Sequence, residues 1–65
     1  MPKTLIGIQD WYIGCLKKNG RNGWRLYRTK ALKALQLVGF TFEQAVAALR
    51  DAFDMWELEK IANEH

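Results

Sequence analysis

Asn19-Gly20-Arg21-Asn22-Gly23 is the clearest break in this 65-residue chain, and its reading decides the fold. Two Asn-Gly pairs supply residues tolerant of positive φ. Such pairs either end one helix before the next or close a tight hairpin. Read as a helix–helix corner, the turn at 19–23 gives an all-α domain. Read as a short hairpin over 17–28, with Trp24-Arg25-Leu26-Tyr27-Arg28 as return strand, it gives an α+β domain. The alternation of that strand is brief, whereas helical spacing is evident on both sides of the break. The expectation is therefore an all-α, compact three- or four-helix domain occupying 1–65.

Upstream, a helix is expected from about Thr4 to Lys18, because Leu5, Ile8, Tyr12 and Cys15 fall three and four apart. Gly7 and Gly14 weaken it, each costing about 1 kcal/mol against Ala in a helix interior. Downstream, Trp24 to about Val38 reads as a second helix. Trp24, Tyr27, Ala31, Ala34, Leu35 and Val38 form its apolar stripe, opposite Arg25, Thr29, Lys33 and Gln36. Leu26 and Leu37 lie off that stripe, flanking Lys30 and Lys33. Gly39 ends the helix, and Thr41 with Gln44 makes a capping box for the next. There Phe42, Ala45, Val46, Leu49, Ala52 and Phe53 form a clean stripe. The pattern changes phase at Asp54, where Met55, Leu58, Ile61 and Ala62 follow a new line while Trp56 continues the old one. Either a fourth helix starts there, capped by Asp54 and Glu57, or one long helix shows two apolar faces.

A chain this short buries only about 60% of the surface its unfolded form exposes. The lone Cys15 cannot make an internal disulfide, and no Cys/His set has zinc spacing. Good helix packing or self-association, such as a homodimer, is the remaining source of stability, and a composition that is 49% hydrophobic suits both. No apolar run approaches the roughly 18 residues of a membrane span. The single thiol and the absence of a signal-like start fit a cytoplasmic setting.

Charge is the main functional signal. Residues 1–42 carry eight Lys/Arg against the single acid Asp10, a net of +7, and residues 43–65 carry two against six acids, a net of −4. Lys17, Lys18, Arg21, Arg25, Arg28, Lys30 and Lys33 fall in one stretch free of acids. Such a surface attracts phosphates and releases counterions on binding them; alternatively, the basic half faces the acidic half. The Gly20-Arg21-Asn22-Gly23 turn resembles the GxxG loop by which KH domains clamp a nucleic-acid backbone. That resemblance covers the loop alone, since the chain has no room for the family's three strands, and it implies a local anion site. Asn22-Gly23-Trp24-Arg25-Leu26-Tyr27 with Gly39-Phe40-Thr41-Phe42-Glu43-Gln44-Ala45 resembles the wing and following helices of MerR-type regulators, at shorter spacing and without a preceding helix-turn-helix. Gly39-Phe40, Glu43-Gln44-Ala45 and Ala48-Leu49-Arg50 also resemble the first turn of ubiquitin-associated domains. Ordinary capping chemistry accounts for both likenesses.

The expected function is therefore a small nucleic-acid-binding accessory or regulatory protein. Its phosphate contacts would be Lys17, Lys18, Arg21, Arg25, Arg28 and Lys33, with Gly20 and Gly23 allowing close backbone approach. The alternative is a protein-binding adaptor or inhibitor of phage or mobile-element type, docking on an acidic protein surface through Leu26, Leu37, Met55, Trp56 and Leu58. No catalytic residues, metal site or cofactor are expected: Cys15 lies on an apolar stripe with no nearby His, and the one His, His65, is terminal.

Overall fold

Helix α1 spans Leu5–Asn19, α2 Trp24–Leu37 and α3 Phe42–Asn63. The computed structural model describes residues 1–64; His65 lies outside them. No strand occurs among the described residues, so the hairpin alternative over 17–28 is overturned.

Thr4 starts α1 by accepting a hydrogen bond from the Gly7 amide, 3.0 Å, onto its hydroxyl oxygen. Ile8, Tyr12 and Leu16, four apart, are the buried residues of this helix. Sequence spacing placed Cys15 on that face, but Leu16 occupies the core and Cys15 is only half-buried. The helix ends where Gly20 takes φ 61° and ψ −138° and its amide donates to the Leu16 carbonyl at 2.8 Å. That region of backbone space is open almost only to glycine.

Gly23, left-handed at φ 71°, leads into α2. Ala31, Leu32 and Leu35 are buried there, while Trp24, Tyr27 and Ala34 pack on the core from its edge. Val38, expected on the stripe, falls just past the helix and is exposed. Arg25, Thr29, Lys33 and Gln36 are exposed, as their spacing requires.

The capping box of α3 is formed in full. The Gln44 amide donates to the Thr41 hydroxyl at 3.1 Å, and the Thr41 amide donates to the Gln44 side-chain oxygen at 2.9 Å. From there α3 runs unbroken through Asp54, so among the described residues no separate helix starts at that point, and Asp54 lies within α3 rather than at its cap. With neither Gly nor Pro to interrupt its hydrogen bonds, the change of stripe alters only which side is covered. Ala45, Ala48, Leu49, Ala52 and Trp56 are buried, whereas Met55, Leu58 and Ile61 are exposed. Phe42, at the first helical position, is exposed as well.

Each helix packs on both others around one core. Four buried alanines, Ala31 on α2 and Ala45, Ala48 and Ala52 on α3, keep side-chain bulk low where the helices meet. The Gln9 side-chain amide of α1 donates to the Ala48 carbonyl of α3 at 2.9 Å. Trp11 meets Tyr27 edge-on with ring centroids 6.3 Å apart, and Phe53 tilts against Trp56 at 5.3 Å, both within the favourable range for aromatic pairs. No buried polar side-chain atom among the described residues lacks a partner.

Candidate nucleic-acid interface

The basic residues collect on α2, the end of α1 and the turn between them. Helix α2 carries Arg25, Arg28, Lys30 and Lys33 and not one acid. Its outward face has Lys33 near the middle, with Arg25, Thr29 and Gln36 to one side and Leu26, Lys30 and Leu37 to the other, all exposed. Lys17 and Lys18 close the last turn of α1, where cations also complement the helix dipole.

Two of these cations are matched by acids of α3. Lys17 Nζ lies 3.1 Å from Glu59, and the Arg21 guanidinium pairs with Glu57. All four side chains are more than a third exposed, so each pair contributes little to stability. The basic and acidic halves thus meet at the α1–α3 seam, and α2 stands clear of it. Lys18, Arg25, Arg28, Lys30 and Lys33 have no acidic partner among the described residues.

Beside this face, a cleft of about 240 Å³ opens between the start of α2 and the middle of α3. Arg21, Arg28 and Arg50 line it together with Tyr12, Trp24 and Phe53, and Val46 and Leu49 complete the wall. The Arg21 guanidinium sits 5.3 Å from the centre of the Phe53 ring, and that of Arg25 sits 5.6 Å from the Trp24 ring. Tyr12 is 2% exposed. Burial pushes its hydroxyl above the usual tyrosine pKa, and the nearby Arg28 charge pulls partly against that rise.

Of the residues singled out from sequence, the structure brings Arg21 and Arg28 into this cleft and leaves Lys18, Arg25 and Lys33 on the open surface. Gly20 and Gly23 both hold positive φ in the turn. Arg50, Tyr12 and Phe53 were not anticipated as site residues. Each looks ordinary in its own helix, and only the packing of all three helices puts them next to Arg28. Among the apolar contacts expected for a protein partner, Leu26, Leu37, Met55 and Leu58 are exposed. Trp56 is not: at 6% exposed it is core, with Lys60 Nζ 5.5 Å from its ring centre. It continues the buried stripe, and that placement removes it from the surface set.

No group of three His, Cys, Asp or Glu side chains suited to a metal ion occurs among the described residues. No described helix is long and apolar enough to cross a membrane. No family model, curated protein or solved structure matches this chain. Its class is therefore set by the fold and the site alone: a small three-helix protein with one acid-free basic helix and an arginine-rich aromatic cleft beside it.

Proposed function

We propose that this chain is a small nucleic-acid-binding accessory or regulatory protein, without catalytic activity, that lays α2 along a phosphate backbone in the cytoplasm. The observation that carries the reading is the exposed face of α2, on which Arg25, Lys30 and Lys33 stand without an acidic partner among the described residues. Lys18 extends the same charge toward the turn. Affinity on such a surface comes from counterion release, so it falls steeply with salt. Sequence preference is not part of this reading, because contacts to phosphate carry position rather than base identity.

Electrophoretic mobility shift at low and moderate salt tests it. The wild-type chain retards nucleic acid at low salt, and reversal of Arg25, Lys30 and Lys33 to Glu abolishes the shift. Absence of binding at low salt, or indifference to the reversal, sinks the reading.

A second reading, a protein-binding adaptor or inhibitor, is favoured by the exposed Leu26 and Leu37 beside those lysines and by Met55 and Leu58 on α3. Partners captured from a bacterial lysate that persist after nuclease treatment favour it. Sedimentation across a concentration series decides whether a second copy of the chain covers the same residues.

A further inference from the structure

We propose that the cleft between α2 and α3 receives one unpaired nucleotide of a single strand, its phosphate on Arg28 and Arg50 and its base against Trp24 and Phe53. This rests on the proposed function and sharpens it from nucleic acid in general to single-stranded nucleic acid.

The charge of the cleft is the first argument. Three arginines line it and no acidic residue does, and of the three only Arg21 is paired, with Glu57. Arg28 and Arg50 come from different helices, and neither has an acidic partner among the described residues. Cations converging on one cleft repel each other, and an anion between them relieves that repulsion. A guanidinium fork matches a phosphate with two parallel hydrogen bonds, which a lysine cannot offer.

The second argument is what lies beside those arginines. Trp24 and Phe53, both half-buried, line the same small space with the buried Tyr12, and aromatic rings such as the first two take bases without regard to sequence. An anion joined to a flat apolar ring is the chemistry of a nucleotide. Size narrows the choice further. About 240 Å³ falls below the roughly 300–1,000 Å³ of pockets that enclose a whole small-molecule ligand. It suits one unit of a strand whose remaining phosphates run over Arg25, Lys30 and Lys33. Bases stacked inside a duplex cannot enter.

Arg50 separates the two levels of the claim, because it is exposed, lies on α3 and contributes nothing to the α2 face. Fluorescence anisotropy with a labelled short oligothymidine strand and a labelled short duplex is read for the wild type, Arg50→Gln and Lys30→Gln/Lys33→Gln. Circular dichroism verifies that each variant is folded. The expected result is that Arg50→Gln weakens strand binding by about tenfold, the loss of one charge-assisted phosphate contact, and leaves duplex binding unchanged. The lysine variant weakens both. In parallel, the indole N–H resonance of Trp24, assigned with Trp24→Phe, shifts on titration with thymidine monophosphate. Strand binding that is unchanged in Arg50→Gln, with a still Trp24 signal, overturns the cleft and leaves the proposed function standing. Inorganic phosphate moving that signal as far as the mononucleotide overturns the stacking of a base. Failure of the wild type to bind either nucleic acid overturns both.

Discussion

Tyr12 carries the clearest consequence at the scale of a single residue. A solvated tyrosine ionises near pH 10, and burial raises Tyr12 above its ordinary 10.0 while the Arg28 charge opposes the rise. The folded chain therefore keeps this proton at pH values where the unfolded chain has released it. Stability from Tyr12 is complete below pH 10 and is lost as pH rises from there through the folded pKa. Urea unfolding from neutral to strongly alkaline pH measures this directly. The comparison is with Tyr12→Phe, which has no phenolic proton to lose. The wild type is expected to lose stability more steeply than the variant above about pH 10. Parallel curves would show that the Tyr12 hydroxyl reaches solvent freely.

Within the elements, a glycine inside α1 and the glycine that caps it have opposite meanings. Gly14 sits inside the helix, exposed, with nothing within 4 Å of where a Cβ would stand. Gly14→Ala therefore removes a helix-interior glycine at no steric cost and is expected to stabilise by about 0.5–1 kcal/mol. Gly20 also has open space around it, but at φ 61° and ψ −138° any side chain is strained. Gly20→Ala is expected to destabilise by about 1–3 kcal/mol. Thermal or urea unfolding of the two variants reads both signs. A destabilised Gly14→Ala would place an unseen partner over that face of α1. The same two positions show what was legible in sequence: both were recognised as unusual, and the Asn-Gly pairs located the corner. The Thr41–Gln44 box could be read outright, since capping is local chemistry within four residues. The idealised stripe takes Cys15 where Leu16 is buried, and it omits Leu32, which is buried beside Ala31. Which of two adjacent apolar residues is buried depends on how the partner helices cross, and spacing within one helix does not contain that angle. The continuity of α3 is not legible for a similar reason, because a change of apolar face marks either a new helix or a new exposure.

Across the whole molecule, the candidate site divides in the same manner. The basic face of α2 was visible as an acid-free run, while the cleft joins residue 12 to residue 53 through three elements and leaves no linear trace. Charge segregation was equally visible, but its meaning depended on which cations meet acids. Lys17 and Arg21 do, through Glu59 and Glu57, and the α2 cations do not. The acidic end of α3 thus shields one edge of the basic surface and leaves the rest available. Removing that shield is a test of the molecule as a unit. Glu57→Gln with Glu59→Gln frees Lys17 and Arg21 and raises the net charge of +3 by two. Both pairs are exposed, so unfolding stability should change by less than about 1 kcal/mol. Affinity for nucleic acid at low salt should rise, and the slope of log affinity against log salt should steepen by up to roughly 2 as two more cations reach phosphates. A tighter complex with an unchanged slope would mean that the acids act only by long-range repulsion of the strand. Unchanged affinity would confine the contact to α2, with the seam between α1 and α3 turned away from the bound strand.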